Sequence, residues 1–213
     1  PAGMLIFQRV LAEIRADRAA AAAELLDQAA ANPALDPVSR WQAEWNLVKQ
    51  LKLRGEAQTA LGRVDRLLAG GAAGVGDELR IRLRWLQADL SYDLDRFDAA
   101  LRLVDALLVE LAAAGTLEPA TRAQVAGNTL LLKAQTLLTL GRESEGTAVL
   151  EQLRAEQRDT PAAIYSYIVQ AARLARRAQL AEAQQTLTQL ADRHRSSEFA
   201  PLALYEAAAA RLG

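Results

Sequence analysis

The stretch WLQADLSYDLDRFDAALRLVDALLVEL, residues Trp85 to Leu111, decides how the rest of the chain is read. Trp85, Ala88 and Tyr92 recur at steps of three and four, and Phe97, Ala100, Leu101, Val104, Leu107, Leu108 and Leu111 do the same. Each set is one apolar stripe of a 3.6-residue period, so each marks an amphipathic helix. Only Asp93-Leu94-Asp95-Arg96 separates them, too short for anything but an antiparallel helical hairpin. Such a hairpin cannot bury both faces alone, so the stripes predict copies of the unit on either side.

Ala100, the small residue where the second helix crosses the first, has four counterparts. Each is followed by apolar residues four and seven positions on: Ala22, Leu26 and Ala29; Ala60, Val64 and Leu67; Gly146, Leu150 and Leu153; Ala183, Leu187 and Leu190. With Ala100, Val104 and Leu107 in third place, the spacings are 38, 40, 46 and 37 residues. Five copies at such a period are the signature of an α-solenoid. Turn signals fall in phase with the stripes, which chance periodicity in a Leu- and Ala-rich chain would not produce.

The apolar fraction of 51% rests mainly on Ala and Leu, with aromatics at 5%, a composition that favours helix and supplies few strand formers. With 25 basic and 26 acidic residues, nothing marks the whole chain as a nucleic-acid binder. Local clusters such as Arg80, Arg82 and Arg84, or Arg173, Arg176 and Arg177, read as solvated helix faces. The absence of cysteine removes disulfides, thiolate metal sites and cysteine nucleophiles together. No apolar run approaches the roughly 18 to 20 residues that a membrane-crossing helix needs. The first residues, Pro1 to Phe7, have no basic lead and too short an apolar core for a signal peptide. Because the chain starts at Pro1 rather than Met, a removed leader stays open.

Five helix pairs are expected, over about 4–33, 37–70, 77–114, 119–158 and 161–195, with a half-repeat at 198–213. Together they read as a single solenoid domain, 1–213, cut from a longer protein. Asp36-Pro37 and Thr160-Pro161 are each a cap followed by proline at the first helical position. Gly115 ends a long helix and Glu118-Pro119 opens another to Leu140, a longer pair that accounts for the 46-residue spacing, and Gly55 and Gly141 permit turns. The run from Gly70 to Gly76 lacks the preceding strand and the Lys-Ser/Thr ending of a phosphate-cradling loop, and Asp77-Glu78 follows it. It reads as an inter-repeat loop. An eleventh helix from Ser196 through Ala210 has no partner and offers a surface for self-association.

These pairs resemble tetratricopeptide repeats (TPR). That motif sets a large residue, Leu, a small residue and an aromatic on the first helix, then Gly at the turn. An aromatic, Ala, a bulky residue, Ala and Pro follow on the second helix. Trp85, Ala88 and Tyr92 followed by Phe97, Ala100 and Val104 fit it. So do Leu130, Ala134, Leu137, Gly141, Gly146 and Leu150; Tyr167, Ala171, Leu174, Ala183 and Leu187; and Leu47, Val48, Leu51, Gly55, Ala57, Ala60 and Val64. Every spacing exceeds the family's period of about 34 residues, and the third pair needs one extra residue in its turn. Related α–α repeat families with periods near 40 are the alternative. The segment from Ser197 to Ala207 resembles repeat starts in bacterial envelope proteins, such as outer-membrane assembly lipoproteins and Tol-Pal-associated periplasmic proteins. It implies a bacterial periplasmic or envelope location in preference to the cytoplasm.

The resemblance implies an all-α, right-handed α–α superhelix of about five hairpins plus a terminal helix. Residues two, five, nine and twelve of each first helix would line its concave groove. In the second pair these are Gln42, Trp45, Lys49 and Lys52; in the fourth Asn128, Leu131, Gln135 and Leu138; in the fifth Tyr165, Ile168, Ala172 and Ala175. In the third, Arg82, Trp85, Asp89 and Tyr92 compete with Leu83, Leu86, Leu90 and Asp93. Trp85 also satisfies the motif's large core position, and Trp41 and Trp45 lie one turn apart, so one of that pair is surplus to packing. The mixture suits a peptide or partner helix anchored by apolar side chains.

No catalytic site is legible. His194, the one histidine, lies between Arg193 and Arg195 near a helix end and reads as a surface residue complementing the helix dipole. One His and no Cys cannot assemble the usual zinc sites. Nucleophile elbows, His-based triads and Walker loops are missing. The expectation is a non-enzymatic protein–protein interaction scaffold, without cofactor, metal, nucleic-acid partner or transmembrane segment. The alternatives are a ligand-sensing or regulatory module of a larger protein, and an architectural spacer.

Overall fold

The computed structural model of the chain describes residues 2–30, 36–71, 74–158 and 160–195. The expected eleventh helix, its self-association surface and the envelope-like segment 197–207 lie outside the described residues. Among the described residues ten helices follow one another: α1 (Ala2–Arg15), α2 (Ala19–Ala29), α3 (Pro37–Leu53), α4 (Ala57–Ala69), α5 (Asp77–Asp93), α6 (Phe97–Ala113), α7 (Pro119–Thr139), α8 (Glu143–Glu156), α9 (Pro161–Arg176) and α10 (Leu180–His194). No strand occurs among the described residues, and no helix among them is long and apolar enough to cross a membrane.

Two compact units, Pro1–Leu117 and Glu118–Gly213, share the chain. In the first, α1 pairs with α2, α3 with α4 and α5 with α6, while α3 packs against both α1 and α5. In the second, α7 pairs with α8 and α9 with α10, and α9 packs against both α7 and α8. All five hairpins expected from the stripes are therefore present.

The hairpins share one turn. Three residues, 16–18, 54–56, 94–96, 140–142 or 177–179, join the two helices. The middle residue is left-handed in each: Asp17 (φ 58°), Gly55 (77°), Asp95 (58°), Gly141 (77°) and Ala178 (59°). Its N–H donates three residues back and the next N–H donates five back, as in Gly55 to Lys52 and Glu56 to Leu51, both 2.9 Å. The same pair recurs at Asp17 and Arg18, Asp95 and Arg96, Gly141 and Arg142, and Ala178 and Gln179. This double bond closes the last carbonyls of the first helix and reverses the chain. The extra residue expected in the third turn is absent. Asp95 takes the left-handed position there, so no glycine marked the true alignment.

Every residue of the five small-apolar-apolar sets is buried. Gly146 shows why the first must be small: a Cβ there would stand 2.7 and 2.8 Å from the Leu138 side chain. Three first helices start on the expected caps. Asp36 accepts from Ser39 N–H at 2.9 Å, Glu118 from Thr121 N–H at 3.0 Å and Thr160 from Ala163 N–H at 3.4 Å, each followed by proline. The 46-residue spacing traces to α6 and α7 together, of 17 and 21 residues, each four longer than its counterpart α4 or α5 in the 40-residue spacing before it.

A left-handed alanine costs about 1–2 kcal/mol, part of which glycine would return as unfolded-chain entropy. Ala178→Gly should therefore stabilise the protein by about 1 kcal/mol. Gly141→Ala, where nothing lies within 4 Å of the added Cβ, should destabilise it by a similar amount through backbone strain alone. Urea denaturation of the two variants beside the wild type checks both signs.

Candidate functional site

In the first unit the structure places Gln42, Trp45, Lys49 and Lys52 on α3, and Arg82, Trp85, Asp89 and Tyr92 on α5. Trp41 is core, whereas Trp45 is half-buried, with the Lys49 ammonium 5.6 Å from its ring centroid. Trp85 is also half-buried against the same core, and its indole N–H is enclosed without an acceptor. Leu83, Leu86 and Leu90 are fully packed in the core, which leaves Arg82, Trp85, Asp89 and Tyr92 as the accessible register of α5. Tyr92 meets Phe97 edge-on at 5.4 Å.

Lys52 joins the two helices. Its ammonium reaches Asp89 at 2.7 Å and Asp93 at 2.5 Å. Burial pushes this ammonium down, but the hydrogen bonds to the two carboxylates outweigh it and hold its pKa above the ordinary value. Burial dominates at Asp89 and raises its carboxyl, against the attraction of Lys52. Arg82 does not join this set; it pairs with Glu78 on its own helix at 2.8 Å.

Sequence reasoning missed a second charged junction. Arg63 on α4 is 5% exposed and donates to both oxygens of buried Glu44 on α3, at 2.8 Å each, and to both oxygens of Asp27 on α2 at 3.0 and 3.2 Å. Burial opposes the guanidinium's charge, and the two carboxylates overrule it, raising its pKa. Both forks are bidentate, the geometry that suits guanidinium to carboxylate. Arg63 and Glu44 each sit beside an apolar core position, so the linear pattern gives no signal that they face one another.

In the second unit, Asn128, Leu131 and Gln135 are partly exposed along α7, and Tyr165 is 40% exposed on α9. Leu131 packs on the Ala134, Leu138 and Leu150 cluster, and Ile168 bridges the clusters around Tyr167 and Leu187. Ala172 and Ala175 are exposed. Leu138 is no groove residue: it is buried over Gly146, whose missing Cβ makes room for it. The expectation for His194 is likewise corrected. It is 4% exposed because the end of α10 lies on α9, where its ring meets Tyr167 edge-on at 6.2 Å. Beside it, Arg154 of α8 lies 3.9 Å over the Tyr167 ring, a stacking that spacing alone could not reveal.

Two outcomes follow. Glu44→Ala should cost about 2–3 kcal/mol in urea denaturation, because it leaves a buried guanidinium with the half-exposed Asp27 as its one remaining carboxylate. Lys52→Met should leave Asp89 buried without its cation and lift its folded pKa further. A raised acid pKa means that stability is present at low pH and is lost as pH climbs past the ordinary aspartate value. The stability gap between this variant and the wild type should therefore widen as pH rises above the ordinary aspartate range, measured by the same titration.

No protein-family profile and no curated protein matches the sequence. Solved structures do. A kinesin light chain candidate of Podosopora anserina with nearly identical TPR-like repeats, in a single-substitution form, superposes with a TM-score of 0.64 at 20% identity, over 90% of this chain and 93% of that one. A second structure of that Podosopora anserina repeat protein gives a TM-score of 0.61, also at 20% identity, over 87% and 92%. The chain thus has the TPR-like fold, an all-α solenoid of helical hairpins.

Proposed function

We propose that this chain is a non-enzymatic protein-interaction scaffold that holds a peptide or partner helix against its first helices. The observation that carries the reading is the accessible face of α3 and α5. There Trp45 and Trp85 are both half-buried, Lys49 lies over one ring, and the Trp85 N–H is enclosed with no acceptor. A partly sunken tryptophan is a natural anchor for an apolar side chain of a ligand, since its ring is already positioned and part of its face stays open. The Lys52 bridge to Asp89 and Asp93 ties the two helices beneath such a ligand, so little ordering remains when it docks. In the second unit, Tyr165 and Ile168 on α9 and Asn128, Leu131 and Gln135 on α7 offer the same blend of apolar anchor and polar edge. The TPR-like fold supports a role in holding proteins rather than transforming small molecules.

A peptide library screened against the chain by tryptophan fluorescence should yield ligands. Trp45→Ala combined with Lys49→Glu should weaken them by about thirtyfold, the loss of one anchor of about 2 kcal/mol. The melting temperature should meanwhile move little, because Trp45 is only partly packed. Retained ligands with a fallen melting temperature would assign Trp45 to the core instead. A screen without ligands would sink the reading.

A further inference from the structure

A cleft of about 320 Å³ opens in the second unit between α8, α9 and α10, lined by Arg154, Arg158, Ala163, Tyr167, Arg193 and His194. Among the described residues no acidic side chain lines it. Arg154 is held from three directions. Its Nε donates to the Ser166 hydroxyl at 2.8 Å, its Nη2 donates to the Ser166 carbonyl at 2.9 Å, and its plane lies over Tyr167. Arg158 lies just past the end of α8, in the link to α9, and Arg193 comes from α10, both exposed. None of these three guanidiniums forms a salt bridge among the described residues. Several other guanidiniums that are buried or partly buried do: Arg63 with Glu44, Arg80 with Glu110, Arg82 with Glu78 and Arg173 with Glu143.

We propose that this cleft binds a monophosphate dianion, either free phosphate or the phosphoryl group of a small monoester. Three cations gathered around one cavity repel one another, and that repulsion is relieved only by an anion placed among them. The state of Arg154 agrees: burial pushes its guanidinium down and Arg193's charge adds to the effect, with Tyr167 and Glu151 opposing. Stacking and the Ser166 bonds fix the Arg154 plane before any ligand arrives, so its remaining donors are aimed without further ordering. Three planar forks offer more donors than the two oxygens of a carboxylate can accept, whereas phosphate brings more oxygens and nearly twice the charge. A cavity near the lower limit of small-molecule sites fits a phosphoryl group with a short carrier. The three charges surround one cleft instead of tracking a line along the surface, which disfavours a polyanion. This inference does not rest on the α3–α5 face, and neither reading needs the other.

The test is calorimetric titration of the full chain with inorganic phosphate and, separately, with phosphoserine. Saturable binding is expected, weakened about tenfold by Arg158→Gln or by Arg193→Gln and more by Arg154→Lys, which keeps the charge but loses the fork. The first two residues are exposed, so their variants should melt with the wild type, and any lost heat belongs to the site. Tighter phosphoserine than phosphate makes a monoester the ligand, and the reverse makes it free phosphate. Absence of saturable heat below about 10 mM overturns the proposal. Heat unchanged in the Arg158→Gln/Arg193→Gln double variant overturns it too, as does displacement by poly-uridine with affinity rising with length, which would mark a polyanion surface.

Discussion

Each hairpin depends on how its first helix is stopped. A left-handed residue, with its paired backbone hydrogen bonds, turns the chain in three residues, and the small residue of the second helix always follows five positions after it: Asp17 and Ala22, Gly55 and Ala60, Asp95 and Ala100, Gly141 and Gly146, Ala178 and Ala183. The turn fixes the angle at which the second helix departs. That angle fixes which residue first faces back onto its partner, and only Ala or Gly lets the two backbones approach there. At Gly146 the limit is visible, since even a methyl group would displace Leu138. Leu26, Val64, Val104, Leu150 and Leu187, one turn further on, then fall into the core without further instruction.

Much of this was legible because periodicity is a one-dimensional record of a helical face. The stripes, the caps at Asp36 and Thr160 and the long helix after Glu118 all read correctly from neighbours in the chain. What escaped reading depends on backbone conformation or on distant partners. Glycine announces a left-handed turn at Gly55 and Gly141; Asp17, Asp95 and Ala178 adopt it silently, which is why the third turn was misaligned. Leu138 looks as accessible as Leu131 on a helical wheel, and only the hollow over Gly146 makes it core. His194 looks like a surface residue among arginines until α9 is laid beside it.

Charge was the least legible property, although it differentiates the two units. In the first, cations at helix junctions are answered by carboxylates from other helices, as at Arg63 with Glu44 and Asp27, and at Lys52 with Asp89 and Asp93. Those pairs lie 19 to 41 residues apart along the chain, beyond the reach of any helical-spacing rule. The Lys52 junction of the α3–α5 face is thereby electrically settled, while the Trp85 indole N–H and the Arg82 Nε stay buried without an acceptor. In the second, Arg154 is braced by a ring, a hydroxyl and a carbonyl, none of which cancels its charge.

The invariant turn also determines where this chain can change length. Successive left-handed residues stand 38, 40, 46 and 37 positions apart, yet all five turns have three residues, so the whole variation falls in the helices and in the links 30–36, 70–76, 114–118 and 157–160. One end of every hairpin works as a fixed hinge plate, while the other tolerates additions and losses. Insertions inherited or engineered at the link end would leave the hinge geometry undisturbed, whereas a single residue added between Arg54 and Ala57 would rotate the following helix by roughly 100° and turn its small residue away from its partner.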